Sequence, residues 1–495
     1  MRLSPLLFSL ASLLLPVPAL AGPATQPAAA WTTTVLTRAL DSVQEERIRA
    51  DLHFLASDEL RGRDTPSPEQ RIAARFLAAR LERLGWQPGA QDGWFWEYEL
   101  PTVAIDPART SLVGSCNGVS VGLQLGEDYA FYPRSIADLE TEGHGIVFIG
   151  TGSEEELEQL EKRRVELEDR WLLCTSSDIS YMKLSSIARK NEAAGVLVAP
   201  GGELDSASMA ERVRGWANEA SEGRLSRGRR NKRARSYVYL SSDGLAKLEA
   251  AASSRGLELG DVLPIELVEK RTVLEEATAG LENVVGIWPG SDPALAKELI
   301  ILSAHYDHVG TSDEGEVYNG ADDNGSGTVG LLAVAEALTV HGPLRRSVMI
   351  IWVSGEEKGL LGSKAWTEDP YLPGGLKPVA NINIDMIGRN DPRSLLVTPT
   401  ADHDEYNGLT KLAQGMCRLE GFDPLGSADA YWTRSDHANF ADNLEIPVAF
   451  LFADVHEDYH KVTDTPDKVD YDKVRRVARL VVRIVAGLQT DRLDL

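Results

Sequence analysis

The chain has 495 residues, enough for two or more domains with large cores. Lys and Arg number 51 against 75 Asp and Glu, a net charge of −24, which argues against a nucleic-acid binder and against affinity for anionic membranes. Three cysteines, Cys116, Cys174 and Cys417, with no CxxC, exclude a disulfide framework and thiolate zinc sites.

Residues 1–21 read as an export signal. Arg2 supplies the positive end, Leu6 to Leu15 the apolar run, and Ala19-Leu20-Ala21 a small-residue cleavage site. The run is too short for a stable membrane anchor, and no cysteine follows the cleavage site to carry a lipid. The expectation is a periplasmic or extracellular protein without a membrane anchor. Export permits a Cys116–Cys174 bridge; two reduced, buried thiols fit equally well.

Residues 22 to about 40 are rich in Pro, Ala and Thr and read as a flexible leader. From Ser42 to Leu84 the pattern is helical, with Ile48, Leu52, Leu55, Ile72, Phe76, Leu77, Leu81 and Leu84 mostly three and four apart. Between these helices, Ala56 to Arg63 reads as a polar connection, with a lip of an active site as the alternative.

From about Ile105 the texture changes to short strands and turns. Gly145–Gly150, Trp171–Cys174 and Gly195–Ala199 read as strands, Ser153 to Arg170 as a charge-rich helix, and Lys183 to Ala194 as another. The run from Arg212 to Arg235, with Arg227, Arg229, Arg230, Lys232, Arg233 and Arg235, reads as a solvated loop, because no aromatics interleave those basic residues. This stretch forms a compact β-rich unit with its own core.

From Leu281 apolar runs alternate with helical patterns. Strands are expected at Val284–Trp288, Leu299–Ala304, Val348–Val353, Ala380–Ile384, Leu395–Val397 and Pro447–Phe452. Helices are expected at Ser326–Val340, from Lys358, at Tyr406–Leu419 and at Val474–Leu488. That alternation predicts an α/β fold, a mostly parallel sheet covered on both faces. The N-terminal helices are needed as cover, so the β-rich unit is an insertion.

Polar residues recur just past strand C-termini, where open α/β sheets place their sites. His305 and Asp307 follow one strand, Glu356 and Glu357 another, and Asp385 a third. Asp323 lies in the glycine-rich loop before the Ser326 helix, and His460 beyond the strand ending at Phe452. His305 and Asp307 share a face on an extended chain, so Asp307 can support a metal-binding His305. Two imidazoles and three carboxylates suit zinc. Five ligands with one carboxylate bridging fit two metals about 3.5–4 Å apart. Of the adjacent pair, one glutamate can bind metal while the other faces the attacking water as general base.

His305-Tyr306-Asp307, Ala321-Asp322-Asp323-Asn324-Gly325-Ser326-Gly327, Ser354-Gly355-Glu356-Glu357, Asn383-Ile384-Asp385-Met386 and Tyr459-His460 together resemble the di-zinc aminopeptidases of metallopeptidase family twenty-eight. The likeness implies a three-layer sandwich of the zinc-peptidase, phosphorylase/hydrolase-like kind. It implies an inserted protease-associated domain at 105–275, between a segment 22–104 and a catalytic region 276–495. It implies two Zn2+ per chain, His305 and Asp385 on one, Glu357 and His460 on the other, Asp323 bridging, and a cis Asp323–Asn324 bond. Glu356 would be the base that deprotonates the attacking water and passes the proton to the leaving amine. Asp307, Ser435, Asp436 and Tyr459 would support these residues from behind, with the oxyanion steadied by Tyr431, Tyr459 or Arg434 or left to zinc. His308 reads as structural, and His53, His144, His341, His403 and His456 as lying outside the site. A peptide substrate follows. A carboxypeptidase or dipeptidase, a single-zinc glutaminyl cyclase and a non-catalytic binding protein remain as alternatives.

Overall fold

The computed structural model describes residues 33–132, 137–175, 181–201, 205–225, 235–253, 256–312 and 315–495. The export signal and the basic residues Arg227 to Arg233 lie outside the described residues. The chain divides into two compact units: 1–96, 282–311 and 317–495 form the first, and 97–281 with 312–316 the second.

The first unit is built on a mixed sheet. Its strands run in the order Val273–Trp288, Ser347–Val353, Glu298–His305, Lys377–Asp385, Val448–Phe452, Leu396–Thr398, Gly426–Ser427. The four central members, from Ser347–Val353 to Val448–Phe452, are mutually parallel. Val273–Trp288 pairs antiparallel to Ser347–Val353, and Leu396–Thr398 pairs antiparallel to Val448–Phe452 and parallel to Gly426–Ser427. Both faces of the central strands are buried, so they are near-continuous apolar runs. One face, with Ile300, Leu302, Ile350, Ile382 and Ile384, packs into a core shared with the helices. The opposite face, with Leu299, Ile301, Met349 and Ile351, meets Trp366 and Phe440, which stand on helices Leu361–Glu368 and His437–Leu444. Helix, sheet and helix therefore make three layers. Gly327–His341 is apolar nearly all round and nearly all buried, as a central packing helix must be.

Local chemistry sets the helix ends. Ser67 accepts a hydrogen bond from Gln70 N and Pro68 opens helix Pro68–Leu84. Asp470 does the same for Lys473 N at the start of Tyr471–Gly487. Four sequence expectations need correction. The leader is helical from Thr33 to Asp41, with Ala39 and Leu40 buried. Ile72 is half exposed, because Ala73, Ala74, Leu77 and Leu81 form the buried face of its helix. The helix expected from Lys358 begins at Leu361, so Glu356 and Glu357 lie in a turn. Residues 212–222, read as loop, belong to helix Ser206–Glu222.

The second unit has a sheet in the order Val119–Leu123, Ser111–Cys116, Val262–Arg271, His144–Phe148, Trp171–Thr175, Gly195–Ala199, Ser236–Leu240, Tyr129–Phe131. The strands from His144–Phe148 to Ser236–Leu240 are parallel to one another. Among the described residues, four α-helices accompany them, at Glu154–Lys162, Tyr181–Lys190, Ser206–Glu222 and Ser242–Ala251. The unit is thus more α/β than β-rich. Its sheet separates two apolar cores. All three cysteines are buried and free, and no helix among the described residues is long and apolar enough to cross a membrane.

Candidate metal centre

The side chains that the sequence points to come from strand ends and the turns after them. His305 ends its strand, and its ring is buried. Its Nε2 lies 3.3 Å from Asp385 Oδ1, 3.5 Å from Asp323 Oδ1 and 4.0 Å from Glu356 Oε2. His460 Nε2 lies 3.1 Å from Asp323 Oδ2 and 3.1 Å from Glu357 Oε2. Asp323 therefore turns one oxygen to each imidazole. The five residues read from the sequence as ligands converge, with Glu356 at the rim of the His305 group.

Each loop is held by identifiable contacts. Asp323 sits in the turn Ala321–Ser326 ahead of the buried helix, and its peptide bond to Asn324 is cis. Asp464 accepts from the backbone N–H groups of Asp322 and Asp323. Asn324 donates to Ile384 O and accepts from Gly327 N and Met386 N, tying that turn to the strand that ends in Asp385. Gly320, at φ 56°, has no room for a side chain: a Cβ there would overlap Asp323 O and the His308 ring. The Glu356–Glu357 turn is fixed by three successive amides. Ser354 N donates to Asn283 Oδ1, Gly355 N to Thr65 Oγ1 and Glu356 N to Asp307 Oδ1.

The supporting residues divide. Ser435 Oγ donates to Asp385 Oδ2 at 2.8 Å. The Tyr459 ring stacks on His460 at 3.9 Å between centroids. Asp307 Oδ1 stands 3.7 Å from His305 Nδ1, but the closer group is the Asp307 backbone carbonyl, at 3.2 Å. Asp436 accepts from Ser363 Oγ. Burial, with neighbouring Asp385 and Asp307 and against the pull of His305, pushes Asp436 up to about 7. Tyr431 donates to Asp454 Oδ1.

Three contributors escape the sequence reading. His308, read there as structural, has Nδ1 2.8 Å from Glu357 Oε1 and 3.8 Å from Asp323 Oδ2. It lies in one group of ligand atoms with them, as His305 does with Glu356 and Asp385. A third imidazole three residues after His305 was the available signal. The connection Ala56 to Arg63 does more than join helices. The buried Arg63 donates to the backbone carbonyls of Tyr306, Leu55, Asn319 and Gly320, and so holds the loops beside His305 and Asp323. Gly62, at φ 68°, lets that segment run against the Gly310 and Tyr318 carbonyls. Asp464 is the third. His456 lies outside both ligand groups, with Nε2 3.3 Å from Asp322 Oδ2.

The electrostatics call for positive charge. Burial lowers His305, but Asp385 and Glu356 outweigh it and hold the imidazole well above its usual range. Burial likewise lowers His460, and its hydrogen bonds to Asp323 and Glu357 bring it up to about 10. Glu356 is pushed well above the carboxylate range by burial, with Glu357, Asp436 and Asp385 adding to it against His305. Glu357 falls well below its usual range, because hydrogen bonds to His308 and His460 outweigh its burial. Meanwhile His305 Nε2 and Asp385 Oδ1 are buried with no hydrogen-bond partner. Orphaned nitrogen and oxygen atoms aimed into an acidic cluster suit divalent cations of the zinc type.

Residues 283–485 match the model of Peptidase family M28. The chain is similar to a probable leucine aminopeptidase of Arthroderma benhamiae, 31% identical over 200 residues, and to one of Arthroderma otae, 29% identical over 199 residues. Each alignment covers 38% of this chain and 54% of the relative. The chain thus spans about half the length of the curated relatives it matches. Among solved structures, the aminopeptidase from Aneurinibacillus sp. strain AM-1 superimposes with a TM-score of 0.59 at 20% identity. That match covers 93% of this chain and 97% of the other. The zinc aminopeptidase of Bacillus subtilis gives 0.56 at 18% identity, over 90% and 96%. At these identities the structures bear on the fold.

Proposed function

We propose, for a chain whose residues 283–485 match the model of Peptidase family M28, that the protein is a zinc aminopeptidase releasing N-terminal residues from peptides. The observation that carries this reading is the division of Asp323, one oxygen toward His305 and the other toward His460, with a second carboxylate beside each imidazole. His305 and Asp385 would hold one zinc, Glu357 and His460 the second, and Asp323 both. Bound zinc supplies Lewis acidity toward the scissile carbonyl and a lowered pKa for water.

The chain supplies the rest. Glu356 stands 4.0 Å from His305 Nε2, close to the ligand group. Its backbone is pinned by Asp307, and its basicity is raised by burial. A carboxylate so placed takes a proton from the attacking water and returns it to the leaving amine. Met386 follows Asp385 and Tyr459 precedes His460, and both pack with Ala428, Phe450, Phe452 and Tyr431 in one apolar cluster. The names of the leucine aminopeptidases above support an apolar side chain on the residue released. The leader composition of residues 1–21 supports export, and the 97–281 unit is read as the inserted protease-associated domain.

The test is Glu356→Gln. Turnover on unblocked aminoacyl substrates should fall about 10²- to 10⁴-fold with both zincs retained. Full activity in that variant would remove Glu356 as the base. Hydrolysis of N-acetylated peptides as fast as of free ones would overturn the aminopeptidase assignment.

A further inference from the structure

Four polar side chains cross the sheet beneath Asp385 in an otherwise apolar layer. Asn381, Asn383 and Asp385 alternate along strand Lys377–Asp385 and so share one face. Ser303 stands beside Asn383 in the parallel register of the neighbouring strand. Ser435 precedes helix His437–Leu444 and caps the row. All are almost fully buried, on the face where Ile301, Val353, Phe440 and Val448 pack. Apolar residues of similar volume would fill that layer without the cost of desolvating amides and hydroxyls.

The hydrogen bonds run one way. Asn381 Nδ2 donates to Ser303 Oγ at 2.9 Å and Ser303 Oγ to Asn383 Oδ1 at 2.8 Å. Asn383 Nδ2 donates to Ser435 Oγ at 3.0 Å, and Ser435 Oγ to Asp385 Oδ2 at 2.8 Å. The end group dictates that direction. A carboxylate that ligates a cation only accepts, so Ser435 must spend its single proton on Asp385. Its other neighbour must then be a donor, which turns the Asn383 amide nitrogen to Ser435 and its oxygen to Ser303. Ser303 must in turn receive from Asn381. The far end bears the cost: Asn381 Oδ1 is buried with no hydrogen-bond partner. A network that served only to satisfy itself would not leave its last acceptor orphaned.

We infer that Asn383 and Ser303 are positioning residues for Asp385. Through Ser435 they hold Asp385 Oδ2 away from the cluster and keep Oδ1 facing His305 Nε2, at 3.3 Å. Outer hydrogen bonds that fix a ligating carboxylate set both the affinity for the metal and its geometry. The inference rests on the zinc-peptidase reading, and its experiment separates the two. In the full-length protein, zinc affinity is measured by competition with a fluorescent chelator, and the site is probed by the absorption spectrum of the cobalt(II)-substituted protein. Asn383→Leu should weaken one of two zincs about tenfold, shift part of the cobalt spectrum, and lower kcat with little change in KM. Ser303→Ala, one bond further out, should do the same to a smaller degree.

A merely structural role predicts a lower Tm with unchanged zinc affinity and cobalt spectrum, and that result overturns the inference. Should Asn383→Leu fail to fold, Ser303→Ala decides alone by the same readouts. A wild-type protein that binds no zinc sinks the zinc-peptidase reading and this inference with it. A wild type with two zincs and variants indistinguishable from it sinks the inference only.

Discussion

His308 Nδ1 lies 2.8 Å from Glu357 Oε1, on the carboxylate oxygen that His460 leaves free. Glu357 is thereby gripped from both sides, and its carboxylate cannot rotate without breaking one contact. His308→Ala removes one grip and leaves the other. Zinc bound near Glu357 should weaken about 10- to 100-fold, measured as metal content after dialysis against a graded chelator series. Unchanged retention would reduce His308 to packing.

Arg63 meets four backbone carbonyls with one buried guanidinium. Burial lowers it to about 10, against the pull of Asp307, Asp464, Asp323 and Glu357, so it stays charged at neutral pH. Arg63→Met should cost more than about 3 kcal/mol, because it strands several buried acceptors at once. Urea unfolding of the metal-free protein is the measurement, and a loss below 1 kcal/mol, a threshold well under the cost of stranding buried carbonyls, would refute the clamp. Arg63→Lys should recover little, since an ammonium cannot span four acceptors.

His437 is buried between Trp432 and Phe450, and burial lowers it from 6.5 to about 3. Between those values the unfolded chain binds a proton that the folded one does not. Stability therefore falls as pH drops through that window and is not further lost by this group below it. At pH 5 the cost is about 2 kcal/mol relative to pH 7 or above. His437→Phe should remove that share of the difference in unfolding free energy between pH 7 and pH 5, measured in chelator so that metal release does not contribute.

Stripping the metals should do more than stop turnover. Asp323, Glu356, Glu357 and Asp385 lie in two neighbouring groups of ligand atoms, and bound cations relieve the repulsion among such carboxylates. Zinc at a thousand times its Kd adds about 4 kcal/mol by mass action. Calorimetry with and without chelator should show Tm falling on removal and returning with added zinc. A Tm independent of zinc would argue against a metal centre at this cluster.

The residues that converge were legible because chemistry and topology agree along the chain. Fully apolar runs such as Val348–Val353 announce buried parallel strands, and open α/β sheets place polar side chains just beyond such strands. His305, Glu356, Glu357 and Asp385 could therefore be read off one by one. What linear order could not carry was any relation across long separations. Arg63 reaches carbonyls more than 240 residues away, and Asp464 caps amides more than 140 residues before it. The direction of the Asn381–Ser303–Asn383–Ser435 chain exists only once two strands and a helix start are brought side by side. Residue type and spacing by themselves determined the layers and most of the residues that converge. Only the folded chain decided which oxygen of Asp323 faces which imidazole and that His308 joins them, because a side chain's partners depend on packing that pairs residues far apart in sequence.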